Sequence, residues 1–243
     1  MALSSKFLWI VNMNTEATEM SFSKHALAID ATGVCIRTSA KRFPDTIKRF
    51  HDLGLKVYAW RWPPATEAGS QKEADLVADK LIPKGLDGYI VDPESDAAGA
   101  INDWNRAKCI PFAKAFCKTI KDAAPSSFVF GTTSGCAWAQ FFGASNALYP
   151  QSYWRWTNPE TGRRGQKING GTPQKAIDKS VTAWKPASLS KRIVPMAGEV
   201  DVVTEDEIAQ FGVALAAMGV REGHFYTDNG LIPVANLAAM KAL

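Results

Sequence analysis

Two carboxylates two residues apart, Asp92 and Glu94, close the run Asp87-Gly88-Tyr89-Ile90-Val91-Asp92-Pro93-Glu94-Ser95. The run reads as a short buried strand, and strand side chains alternate, so both carboxylates point to one side. At a rise of ~3.3 Å per residue their Cα atoms lie roughly 6.6 Å apart, near enough for both to act on one bond. Repulsion within such a pair raises one pKa and leaves the other group ionised, the division of roles that glycosidic bond cleavage needs. Glu94, farther along toward the strand end, is the expected proton donor, and Asp92 the charged partner that orients it. The spacing falls between the ranges for retention and inversion of configuration and does not choose between them.

The elements that must hold this pair recur along the whole chain. Strand-like runs occupy residues 7–12, 33–38, 55–62, 87–95, 127–132, 147–154, 192–197 and 223–227. Helical patterns fall between most of them, at 20–29, 45–53, 70–81, 101–123 with a kink at Pro111, 173–184, 204–218 and 232–241. Thr204 and Glu207 form a capping-box pattern at the start of the sixth of these. A Gly-rich aromatic connection at 135–143 takes the place of one helix, residues 96–99 read as a loop, and the polar stretch 158–171 reads as a long exposed loop. Eight strands with helical crossovers predict an α/β fold, a single-domain (β/α)8 TIM barrel spanning residues 1–243. No GxGxxG or GxxxxGK[ST] phosphate loop is present, which weighs against an open nucleotide-binding sheet.

A barrel of this kind carries its active site at the C-terminal ends of its strands. There the sequence places Trp60 and Trp62 on the third strand, Tyr149, Gln151 and Tyr153 on one face of the sixth with Trp154 following, and Tyr226 and Asp228 at the eighth. Asn12 and Arg37 stand near the ends of the first and second strands. Indole and phenol faces suit the C–H faces of sugar rings, and the polar groups suit their hydroxyl rims. The expected substrate-binding set is Asn12, Arg37, Trp60, Trp62, Gln151, Trp154, Tyr226 and Asp228.

Composition narrows the partners. The chain has 243 residues and a net charge of +4, with both signs interspersed. This mild basicity suits an anionic polymer and falls far short of the dense stripe of a nucleic-acid binder. Cys35, Cys109, Cys117 and Cys136 show no CxxC spacing and read as reduced, buried thiols. His25, His51 and His224 form no metal-ligand pattern, so no metal and no cofactor are expected. No apolar run reaches the length of a membrane span, and the N-terminus lacks a secretory cleavage pattern. The expectation is a monomer made in the cytoplasm that reaches a cell wall by release or a non-classical route.

The stretch Asp87 to Glu94 resembles the fourth-strand DG...DxE signature shared by glycoside hydrolases of family 18, the chitinases, and family 25, the lysozyme-type muramidases. The chain length is more similar to a family 25 domain. The resemblance implies a (β/α)8 barrel, Glu94 as general acid, Asp92 positioning a substrate 2-acetamido group for internal attack, and a sixth-strand tyrosine, Tyr149 or Tyr153, assisting. Each pattern has a departure: Asn12 and Asn14 stand near where family 25 has a first-strand Asp, and Ile90 occupies an earlier acidic position of the chitinase DxxDxDxE. The expected activity is hydrolysis of a cell-wall polysaccharide, foremost peptidoglycan, as in a phage endolysin. Chitinase-like hydrolysis and a non-catalytic carbohydrate-binding barrel are the alternatives. A metal-dependent hydrolase using Asp92, Glu94, His224 and Asp228 has less support.

Overall fold

A computed structural model describes residues 2–94, 103–134, 139–188 and 191–243. Its core is a parallel sheet built from β1 (Ser5–Ile10), β2 (Gly33–Arg37), β3 (Lys56–Arg61), β4 (Gly88–Val91), β5 (Val129–Ser134) and β6 (Ala147–Pro150), each paired with the next. A two-stranded antiparallel ribbon follows, β7 (Arg155–Trp156) with β8 (Gln166–Lys167). The predicted seventh barrel strand is divided into β9 (Arg192–Ile193) and β10 (Met196–Ala197), and β11 (Glu222–Asp228) is the eighth. β9 pairs with β6 and β10 with β11, so the two ends of the sheet meet across Val194 and Pro195. The Val194 amide donates to the Leu148 carbonyl at 2.8 Å, and Gln151 bridges to Met196, which closes the barrel. Proline has no N–H for the ladder, which accounts for the interruption.

The crossovers are α1 (Glu16–Ala28), α2 (Ile47–Asp52), α3 (Glu67–Leu76), α4 (Ile110–Ala123), α5 (Ala139–Phe142), α6 (Pro173–Ser188), α7 (Glu205–Ala217) and α8 (Val234–Ala242). Threonine hydroxyls start three of them: Thr15 and Thr204 close capping boxes, with Thr18 and Glu207 reaching back, and Thr66 accepts from the Gly69 amide. Pro111 lies in the first turn of α4, where its missing N–H is harmless, so it begins the helix instead of kinking one. The expected loop at 158–171 is partly ordered by β8, and the expected connection at 135–143 includes the single turn α5. The predicted loop at 96–99, the start of the helix predicted from residue 101, and Cys136 lie outside the described residues. Cys35, Cys109 and Cys117 are free and buried. No described helix is long and apolar enough to cross a membrane.

Strand alternation sorts the core into two layers. Leu8, Ile10, Val34, Ile36, Val57, Ala59, Tyr89 and Val91 face outward into one cluster with the helices. Phe7, Trp9, Cys35, Tyr58, Trp60, Ile90 and Tyr149 fill the barrel interior. The Asp87-Gly88 pair that opens the motif serves this packing. The Asp87 carboxylate accepts from the Val57 amide at 2.8 Å and lies 2.9 Å from His51, tying β4 to β3. A Cβ on Gly88 would stand 2.8 Å from the Val129 carbonyl and 2.9 Å from the Tyr58 ring, so the interior tyrosine requires glycine there.

Candidate active site

Ile90 points into the barrel, and two more steps of the same alternation carry Asp92 and Glu94 to the mouth. There they line one pocket of about 200 Å³ with Trp9, Trp60, Trp62, Tyr153, Trp156, Tyr226, Gln151, Met196 and Glu199. Asp92 is 4% exposed, and Gln151 Nε2 donates to its Oδ1 at 3.2 Å. Burial, and secondarily the charge of Glu94, pushes the Asp92 carboxyl well above the usual carboxylate range. Glu94 is half-buried, and its carbonyl accepts from the Trp104 amide at 2.9 Å, which fixes the chain as it leaves β4.

The aromatic walls are held in place by polar atoms beneath them. Trp60 packs between Trp9 and Trp62, with ring centres 5.4 and 5.3 Å away, and its indole N–H donates to the Ile10 carbonyl. Trp9 donates to His224 Nδ1 at 3.0 Å, and His224 Nε2 lies 2.9 Å from Glu222, which Arg192 also contacts at 2.9 Å. Since Nδ1 accepts, Nε2 carries the proton and donates to Glu222. Tyr153 and Tyr226 stack with centres 5.6 Å apart. Burial comes first in raising both phenols, and the charges of Asp92, Glu199 and Glu94 add to it, so both remain hydrogen-bond donors.

The predicted site residues divide into two groups. Asp92, Glu94, Tyr153, Trp60, Trp62, Gln151 and Tyr226 meet in the pocket. Arg37 stands beside it, its guanidinium carbon 5.2 Å from the Trp62 ring centre, and donates to Asn12. The other three are elsewhere. Tyr149 is wholly buried in the barrel interior, 4.5 Å from the His224 ring, and its hydroxyl has no partner among the described residues. Trp154 faces the helices and packs on Phe211. Asp228 is fully buried, 2.8 Å from His25 Nδ1 and accepting from the Gly230 amide, so it ties β11 to α1. His224 and Asp228 therefore serve separate contacts, and the described residues contain no cluster of three or more His, Cys, Asp or Glu arranged to hold a metal.

Four lining residues stand outside the site set expected from the sequence reading: Trp9, Met196, Trp156 and Glu199. Trp9 was available to it, since Phe7 and Trp9 share the inward parity of β1. Trp156 arrives on the ribbon, whose Arg155 is held by Glu207 at 2.7 Å. Glu199 has no periodic signal at all. Met196 faces the pocket, so simple alternation sends Glu199 outward, and a left-handed φ of +39° turns it back. The Thr157 hydroxyl donates to its carboxylate at 2.6 Å, while a Cβ on neighbouring Gly198 would collide with the Tyr153 ring at 2.3 Å. The result is a third carboxylate, arriving from the seventh barrel strand while Asp92 and Glu94 arrive from the fourth.

No protein-family model matches the chain, nor does any curated protein. Solved structures do resemble it. A chitinase from Bacteroides thetaiotaomicron superposes with a TM-score of 0.65 at 12% identity, covering 99% of this chain and 96% of that one. A family 18 N-acetylglucosaminidase from Paenibacillus barengoltzii gives 0.62 at 12% identity, with 98% and 99% covered. The Bacillus cereus spore cortex-lytic enzyme SleL gives 0.60 at 11% identity, with 97% and 74% covered. At these identities the likeness is one of fold, and it supports the barrel architecture.

Proposed function

We propose that the chain is a glycoside hydrolase acting on a cell-wall polysaccharide of 2-acetamido sugars, foremost peptidoglycan, with Glu94 as general acid and Asp92 as assisting carboxylate. The observation that carries this reading is the meeting of that pair with Trp9, Trp60, Trp62, Tyr153 and Tyr226 in one pocket. Its small volume suits a single sugar ring, with the rest of the polymer lying across the mouth.

Cleavage requires a proton on the leaving oxygen and a partner for the positive anomeric carbon. In the free protein, burial and the Glu94 charge favour the proton on Asp92. Ile90 lies beneath Asp92 where the chitinase pattern has another carboxylate, so Glu94 is the nearby acceptor for that proton. Its transfer leaves Asp92 anionic toward the acetamido N–H, and the acetamido oxygen attacks the anomeric carbon as Glu94 protonates the departing oxygen. Water then opens the cyclic intermediate and returns a proton to Glu94. The Tyr153 phenol donates to the acetamido oxygen and steadies it. Substrate assistance of this kind is an established exception to the two-carboxylate scheme.

Digestion of purified peptidoglycan and of chitin, followed by mass analysis of the fragments, tests the reading. New reducing ends from peptidoglycan are expected from the unmodified protein and none from Glu94→Gln. Release from chitin alone would select the chitinase-like reading, which the chitinase and N-acetylglucosaminidase among the structural neighbours favour. Glycan binding without any cleavage would leave a carbohydrate-binding barrel.

A further inference from the structure

The charges around the pocket are divided by side. Asp92, Glu94 and Glu199 line it, and among the described residues no Lys, Arg or His does. Just outside, the Arg37 and Arg61 guanidinium carbons stand 5.2 and 5.4 Å from the ring centre of one tryptophan, Trp62, itself part of the pocket wall. Among the described residues neither arginine has a carboxylate within 4.0 Å, whereas Arg42 and Arg49 are held by Glu19, Arg155 by Glu207 and Arg192 by Glu222. The Arg37 side chain has Asn12 as its hydrogen-bond acceptor, a neutral group that leaves the charge uncompensated. Burial, and next the charge of Arg61, act against its protonated form. Glu73 feels the Arg61 charge without an ion-pair contact, so both guanidinium groups keep their forks open, and such forks bind carboxylates in a fixed geometry.

We infer that Arg37 and Arg61 form a carboxylate-binding subsite beside Trp62, so that the preferred glycan seats an uncharged sugar in the pocket and an acidic sugar on the adjoining unit. The inference rests on the saccharide-cleft reading above and names the polymer class: one in which neutral and carboxylate-bearing sugars alternate. The acidic lining repels a carboxylate from the pocket itself, and the arginines attract it one unit away, which fixes the register of the chain on the enzyme. Both arginines are specificity-determining residues that act on the neighbouring unit and leave the reacting bond to Asp92 and Glu94.

The test is a binding titration in the Glu94→Gln background, read by the fluorescence of the tryptophans lining the pocket. One probe is the neutral N-acetylglucosamine tetrasaccharide. The other is the peptide-free tetrasaccharide of peptidoglycan, in which every second sugar carries a free lactyl carboxylate. Arg37→Gln and Arg61→Gln are each expected to weaken the acidic probe by about tenfold, the loss of a charge-assisted hydrogen bond, while the neutral probe is unchanged. Added salt should weaken only the acidic probe, and Arg37→Lys should recover part of its affinity. Equal losses for both probes, or no loss for either, would overturn the subsite. If the two probes bind equally before any arginine is changed, the charge inference fails while the saccharide cleft stands. If neither probe binds and the unmodified protein cleaves no glycan, the cleft reading fails with it.

Discussion

Asp92 and Glu222 are both carboxylates withdrawn from water within one barrel, and their surroundings drive them in opposite directions. Glu222 accepts from His224 and Arg192. Burial pushes its pKa up, but those two partners together outweigh it and bring it down to about 2. Among the described residues Asp92 has one side-chain donor, the Gln151 amide at 3.2 Å, and it has a negative neighbour in Glu94, and its carboxyl moves up. Burial alone therefore says little about a carboxylate's role. One whose charge is matched holds structure together, whereas one whose charge is opposed holds a proton ready to move.

The largest effect expected is at the other half of the pair. Glu94→Gln keeps the shape and removes the acid, so turnover of peptidoglycan should fall by about 10³, within the usual span for general acid catalysis, with an unchanged melting temperature. Turnover within tenfold of the parent would break the assignment. Asp92→Asn should lower turnover by about 10², and it should also raise the melting temperature at pH 7. Because the folded pKa of Asp92 lies above its unfolded value, the parent is fully stable with respect to this group at low pH and loses stability as pH rises from the ordinary carboxylate range toward the raised one. The gain from Asn should therefore vanish in melts near pH 3. A destabilised Asp92→Asn at neutral pH would contradict the opposed-charge picture.

Glu222→Gln should do the reverse and cost about 2 kcal/mol at pH 7, since His224 and Arg192 lose a charged acceptor. Here the folded pKa is depressed, so the stabilisation is complete above the ordinary value of 4.5 and is lost as pH falls toward about 2. Denaturant titrations of parent and variant should converge across that window. The smallest effect separates the two sixth-strand tyrosines. Tyr149→Phe removes a buried hydroxyl that has no partner among the described residues and should shift stability by less than about 0.5 kcal/mol, leaving turnover unaltered. Tyr153→Phe should lower turnover about tenfold, because it takes a donor out of the pocket. If Tyr149→Phe proves the more damaging change, the assisting tyrosine has been misplaced.

Much of this site was readable before any coordinates. Asp92, Glu94, Trp60, Trp62, Gln151, Tyr153 and Tyr226 follow inward-facing strand positions, and the two-residue period of a pleat is local enough to read directly. Trp154 shows the same rule in the negative, because it follows Tyr153 and so takes the opposite parity, into the helix layer. Tyr149 has the right parity but the wrong height, and depth along a barrel axis depends on strand stagger, which no single strand encodes. Asp228 likewise falls at the end of β11, yet its partner His25 comes from α1, more than two hundred residues away in the chain.

The sequence by itself determined the eight barrel strand segments and the carboxylate pair at the fourth strand end, because these follow from backbone pleating and local apolar patterning. Only the tertiary structure decided what stands across from that pair. Closure at Val194 and Pro195, the left-handed turn at Glu199, the ribbon that presents Trp156 and Thr157, and the placing of Arg37 and Arg61 against one tryptophan all depend on segments far apart in the chain. Such meetings carry no period along the sequence, since they are set by how the strands stagger when the sheet closes on itself.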